Sequence, residues 1–199
     1  YTPTATYAHL CIGINGSHNV ENALAALALC DNLGADMHEL VRKFQQFKGI
    51  KRRFERVYSG KNIVYIDDYA HHPTEISACL TSIKALYPDK KLTAIFQPHL
   101  FSRTRDFIAD FGQSLALADE IFLLDIYPAR ETPIEGVNSS WLLEKIKKIA
   151  IDVDNISLVS KESLPEHLKK SSCRIKLLVG AGDIGAEVSQ ITKILEHEN

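Results

Sequence analysis

Two rhythms of apolar and polar positions alternate along this chain. Short apolar runs rich in β-branched residues predict strands over residues 6–14, 54–58, 63–67, 92–96, 120–126, 156–159 and 175–179. Apolar residues recurring every three or four positions predict helices over 20–33, 36–47, 74–87, 139–148 and 164–170, with further helices opening after the 97–106 loop and after Gly185. Ser59-Gly60-Lys61-Asn62 lies between two strand runs and reads as a hairpin turn. From residue 63 onward, strands alternate with helices, which implies an α/β fold: a Rossmann-like, mostly parallel sheet with helices on both faces.

The pattern also says where to look for chemistry. In parallel sheets, ligands bind in the crevice beyond the carboxyl ends of the strands. The densest polar cluster in the chain sits at such an end, where the apolar run Ile63-Val64-Tyr65-Ile66 stops at Asp67-Asp68-Tyr69-Ala70-His71-His72-Pro73-Thr74-Glu75. Carboxylates there suit ribose hydroxyls or a divalent cation, and imidazoles suit metals or proton transfer. The next strand ends in Gln97-Pro98-His99-Leu100-Phe101-Ser102-Arg103-Thr104-Arg105-Asp106. A planar arginine fork is the natural partner of a carboxylate, although Arg105 is better placed to pair with Asp106 or Asp110. A third strand is followed by Tyr127-Pro128-Ala129-Arg130-Glu131, and all these loops are expected to share one rim.

Upstream, Asn15-Gly16-Ser17-His18-Asn19 is a turn with capping residues that opens an alanine- and leucine-rich helix ending at Gly34. Asn19 and Asn22, three apart, share a face of its first turn, where carboxamides could either cap and solvate the helix or meet an adenine edge. Lys48-Gly49-Ile50-Lys51-Arg52-Arg53-Phe54 joins a glycine to a compact basic cluster and reads as a hinge between two units. Gly180-Ala181-Gly182-Asp183-Ile184-Gly185 matches the glycine spacing of a dinucleotide loop. No strand or acidic residue follows about 20 positions on, so the expected role is a turn that presents a helix amino end to the crevice, for a carboxylate or phosphate.

Composition narrows the classes. With 25 acidic and 23 basic side chains the formal net charge is −2, without a polybasic or acidic tail, which disfavours nucleic acid as the main ligand. No apolar run approaches the roughly 18 residues of a membrane span, and no signal peptide is visible. A cytoplasmic location is expected. Cys11, Cys30, Cys79 and Cys173 lack metal-ligand spacing, and three of them read as small core residues in a reducing compartment. The chain begins at Tyr1 and its one methionine is Met37, so it is expected to be part of something longer.

Taken in order, Gly16 to Ala26, Arg52-Arg53-Phe54, Asp67 to Glu75, Phe96 to His99 with Ser102 to Asp106, and Gly180 to Ile184 resemble the motifs of the Mur ligases, nearly end to end. The resemblance implies that residues 1–52 are the end of a central ATP-binding domain and 53–199 a carboxy-terminal, amino-acid-binding domain. No Walker-type Gly-Lys-Ser/Thr loop and no UDP-binding domain are present, so this stretch alone is expected to be inactive. The implied reaction is ATP- and Mg²⁺-dependent ligation of L-alanine to UDP-N-acetylmuramate through an acyl phosphate, in peptidoglycan synthesis. The metal would be held mainly outside this stretch, and the carboxy-terminal domain would act as a lid. The resemblance assigns His18, Asn19, Asn22, Arg53 and Asp68 to the nucleotide. It assigns Tyr69, His71, His99 and Arg103 to the amino acid, with Arg103 on its carboxylate. Leu100 stands where some members carry a second arginine. No residue of this chain is expected to be catalytic or to ligate metal. Three rivals remain: a ligase that recycles whole peptides onto the same sugar nucleotide, a phosphoesterase with metal on Asp67, Asp68, His71 and His72, and a binding module without turnover.

Overall fold

A computed structural model describes residues 11–14 and 16–197, and the chain divides into two compact units, Tyr1–Ile50 and Lys51–Asn199. The first unit contains α1 (Ser17–Asn32) and α2 (Met37–Phe44). The helix α1 begins three residues before the expected start. Its N-cap is Gly16, at φ 102°, and no side chain caps it. Asp36 caps α2 by accepting from the amides of His38 and Glu39. That helix stops at Phe44 rather than reaching residue 47. Of the strand expected over 6–14, residues 6–10 lie outside the described residues, and 11–14 are not in a strand.

The second unit is built on one six-stranded sheet in the order β1-β2-β6-β3-β4-β5. Its strands are β1 (Glu55–Ser59), β2 (Val64–Asp68), β3 (Leu92–Phe96), β4 (Glu120–Leu123), β5 (Asn155–Leu158) and β6 (Ile175–Val179). The hairpin β1–β2 is antiparallel, with a bulge between Arg56 and Tyr58, and every other pairing is parallel. Helices α3 (Pro73–Leu86), α4 (Phe101–Asp106), α5 (Ile108–Leu115), α6 (Ser139–Ile149), α7 (Leu164–Lys170) and α8 (Val188–His197) connect or follow the strands.

Strand order explains which face each helix covers. The steps β2 to β3, β3 to β4 and β4 to β5 all run the same way across the sheet. Right-handed crossovers therefore put α3, α5 and α6 on one face, where Ile76, Leu80, Ile83, Phe111, Leu115, Leu142 and Ile146 share a core. The step from β5 back to β6 reverses direction and puts α7 on the other face. There Leu164 and Leu168 join Ile191 and Leu195 of α8. Alternation along each strand feeds both cores. Ala94, Phe96, Leu177 and Val179 point to the first, and Ile95 and Leu178 to the second.

Three expectations are refined. The strand predicted over 120–126 pairs only to Leu123, although Leu124 and Ile126 stay buried. The helix after β3 is two short helices that meet at Phe107 (φ −112°), whose ring packs edge-on against His72 at 4.8 Å. The last helix starts as a 3-10 turn, Asp183–Glu187. Cys79 and Cys173 are buried, Cys30 is half-buried and Cys11 is exposed. No helix among the described residues is long and apolar enough to cross a membrane.

Candidate functional site

The register aligns Asp68 with Val179, Val179 with Phe96, and Phe96 with Leu123. Strands that end level place their following loops side by side. Residues 69–72, 97–100, 124–131 and 180–182 therefore form one rim, as the sequence pattern predicts.

The loop after β2 is pinned from below. Asp68 is 5% exposed, and its carboxylate accepts from the amides of Ala70 and Phe54, each at 2.7 Å. The carboxylate that the resemblance assigns to the ribose thus also anchors the turn and the segment before β1. His72, Pro73 and Glu75 then start α3. Nδ1 of His72 accepts from Thr74, while Glu75 accepts from the amides of His71 and His72, completing a reciprocal cap with proline in the first turn. Burial pushes the Glu75 carboxyl up, but these amides outweigh it and hold the group below its usual range.

Above that base runs a row of rings. Tyr69 meets His71 edge-on at 5.6 Å, His71 meets His99 at 5.8 Å, and His99 stacks on Tyr127 at 5.7 Å with planes 21° apart. Nδ1 of His71 lies 3.0 Å from the Tyr69 carbonyl, which can only accept, so Nδ1 carries a proton and Nε2 is the nitrogen turned away from this bond. Arg103 donates to Nδ1 of His99 at 3.3 Å. Burial, then Arg103, then His71 hold the His99 pKa below its ordinary value, so this ring is neutral near pH 7. A neutral ring beside a half-buried guanidinium leaves Arg103 as the charge available for an incoming carboxylate.

The backbone that presents these groups is strained where function would need it. Leu100 adopts φ 76° and lacks a side-chain cap for α4. Its amide donates to the Tyr127 carbonyl, the Tyr127 amide donates to Pro98, and Glu131 accepts from the Ser102 amide in place of the missing cap. Arg103 is thereby aimed at the row, whereas Arg105 pairs with Asp106 at 2.7 Å on the surface.

The glycine loop has a packing function. A Cβ on Gly182 would lie 2.3 Å from Oε1 of Gln97 and 2.8 Å from the Tyr127 side chain, and one on Gly185 would lie 2.6 Å from the Arg52 guanidinium. Gln97 occupies the space by donating to Asp183 and accepting from the Ile184 amide. This replaces the expected α-helical amino end: the turn is 3-10, and one of its leading amides is already engaged.

Tyr69, His71, His99 and Arg103 are thus brought together, and Arg53 lies over the Tyr69 ring at 5.8 Å. His18, Asn19 and Asn22 lie in α1 of the first unit, with Asn19 buried and Asn22 exposed. Sequence reasoning missed Tyr127 as a wall of the row, although its position after β4 was the available signal. It also missed Arg52, whose guanidinium carbon lies over the Tyr69 ring at 4.9 Å, where only Arg53 was assigned a role. The metal constellation is not assembled. Asp67 pairs with Arg52, Asp68 and His72 hold the backbone, and no group of three His, Cys, Asp or Glu among the described residues could hold a metal ion.

Residues 52–182, which include this rim, match the Mur ligase, glutamate ligase domain, and the chain belongs to the Mur ligase family. It is 49% identical over 197 residues to the UDP-N-acetylmuramate–L-alanine ligase of Christiangramia forsetii, covering 99% of this chain and 42% of that protein. Among solved structures it resembles the UDP-N-acetylmuramate-alanine ligase of Thermotoga maritima, with a TM-score of 0.76 and 31% identity, covering 97% of this chain and 41% of that one. It also resembles a murein peptide ligase from Psychrobacter arcticus, with a TM-score of 0.63 and 26% identity, covering 92% and 38%. The chain therefore spans about two fifths of the length of the relatives it matches.

Proposed function

We propose that this chain is the amino-acid-binding part of an ATP-dependent ligase that joins L-alanine to UDP-N-acetylmuramate in peptidoglycan synthesis in the cytoplasm. The row Tyr69-His71-His99-Tyr127 with Arg103 beside it carries this assignment, because it pairs a single carboxylate-binding fork with a shallow wall of rings suited to a small amino acid. Arg103 takes the alanine carboxylate, and Nε2 of His71 accepts a hydrogen bond from the amine. Residues 1–52 are assigned to the end of a central ATP-binding domain and 53–199 to the carboxy-terminal domain. His18, Asn19 and Asn22 are assigned to adenine, and Arg53 to the phosphates or ribose. Asp68 acts on the ribose side chiefly by holding Phe54 and the segment that carries Arg53.

Carboxamides one helical turn apart in α1 suit an adenine edge, which needs a donor and an acceptor together. ATP supplies the phosphoryl group that activates the muramate carboxylate, and this chain's part is to orient the amine that attacks it. No group of three His, Cys, Asp or Glu among the described residues could hold a metal ion, and no step is assigned to a metal here.

The test uses the polypeptide extended to the length of its relatives, with UDP-N-acetylmuramate, Mg-ATP and either L-alanine or an L-alanyl peptide. Phosphate release dependent on L-alanine and lost in Arg103→Ala is expected. Release with the peptide alone would transfer the assignment to a peptide-recycling ligase, and no release with either would refute both.

A further inference from the structure

Arg52 is absorbed by none of these roles, yet more of the rim is arranged around it than around any residue of the ring row. Its Nε lies 3.2 Å from Oδ2 of Asp67, its Nη2 donates to the Gly180 carbonyl at 2.6 Å, and its Cζ lies over the Tyr69 ring, 4.9 Å from the centroid. Its backbone is equally committed. The Arg52 amide donates to Glu55, and its carbonyl accepts from Tyr69 at 2.7 Å. Both Arg52 (φ 59°) and Phe54 (φ 50°) sit in the left-handed region, which side chains avoid unless the surroundings enforce it. Gly185 has no side chain at the point where the guanidinium passes.

We propose that Arg52 is a positioning residue: it ties the segment before β1 to the turns after β2 and β6, and so fixes Tyr69 and the adjacent Arg53 at the mouth of the ring row. The inference rests on the amino-acid pocket proposed above. Three targets in three directions require a planar fork with a stackable face. Lysine keeps the charge but reaches one target at a time and offers no face to Tyr69. The buried partner strengthens the tie. Asp67 is 1% exposed, and its Oδ1 has no hydrogen bond among the described residues, so Arg52 is the cation that keeps its charge tolerable there. Glu55 and Asp68 are the other charges felt at this carboxylate.

The test compares the full chain with Arg52→Lys, Arg52→Gln and, as a control, Lys84→Ala, which breaks an ion pair to Asp119 at the amino end of the sheet. Without ligand, both Arg52 variants should move the Tyr69 ring resonances and speed exchange of the Tyr69 amide about tenfold, while Lys84→Ala lowers the melting temperature and leaves Tyr69 alone. With L-alanine, both Arg52 variants should bind about tenfold more weakly, as loss of about 1.4 kcal/mol implies. Unchanged Tyr69 signals in Arg52→Gln would overturn the inference, as would altered signals with wild-type alanine affinity. Altered Tyr69 signals in a chain whose wild type ignores alanine would support Arg52 as the fixing residue and refute the alanine pocket instead.

Discussion

Replacing Asp68 by asparagine separates an anchor from a ligand contact. The carboxylate accepts two amide hydrogen bonds at 2.7 Å from opposite sides, Ala70 on Oδ1 and Phe54 on Oδ2, at a site only 5% exposed. Asparagine has one acceptor oxygen, so its NH₂ must face one of these donors, and no rotamer satisfies both. The loss is one charge-assisted bond, about 1.5–3 kcal/mol, part of it the cost of a buried amide left without an acceptor; about 3 kcal/mol in all is a fair expectation. Trp141 is the one tryptophan in the chain and packs on the core of the second unit, so its fluorescence reports that unit's unfolding. With a urea slope of about 2 kcal/mol per molar, the midpoint should fall by about 1.5 M, without nucleotide present. A residue that served only ribose hydroxyls would leave the nucleotide-free midpoint where it was. A shift under about 0.3 M would therefore refute the anchoring role.

Other substitutions probe the rim more locally. Burial pushes the Asp67 carboxyl up to about 6 against the pull of Arg52, so its side-chain carbon should titrate near that pH, and a midpoint near 4 would contradict the burial argument. Because the folded pKa is the higher one, this group favours the fold below about pH 4 and loses that contribution as pH rises through about 6. Asp67→Asn should accordingly flatten that part of the stability profile. Arg103→Ala should weaken L-alanine binding about 10- to 100-fold by calorimetry, the range for a charge-assisted carboxylate contact, and raise the His99 titration midpoint. Gly182→Ala should cost about 1–3 kcal/mol by driving Gln97 and Tyr127 apart, and should shift the His99 ring signals. If the melting temperature and His99 signals of Gly182→Ala match wild type, the clearance argument fails.

Periodicity was enough to place β3, β6 and α7 to the residue, because each is an uninterrupted apolar or amphipathic run bounded by turn residues. It was also enough to place the ring-bearing loops on one rim, since strand ends that alternate with helices must face the same way. The resemblance supplied Tyr69, His71, His99 and Arg103, and the structure gathers all four. Tertiary contacts decided the rest. Whether Asp68 faces solvent or two amides depends on a hydrogen bond to Phe54, 14 positions away, which no local pattern encodes. The spacing Gly180-x-Gly182-x-x-Gly185 is formally that of a dinucleotide loop, and only packing reveals that the glycines clear Gln97, Tyr127 and Arg52. Arg52 and Arg53 are neighbours of identical chemistry in the sequence. The fold alone tells them apart, by closing one onto a buried carboxylate 15 residues ahead and a carbonyl 128 residues ahead while leaving the other exposed. The physical reason is the same in each case: side-chain periodicity fixes local elements and the face each residue takes, but the partner of a polar group is set by what distant segments bring to it.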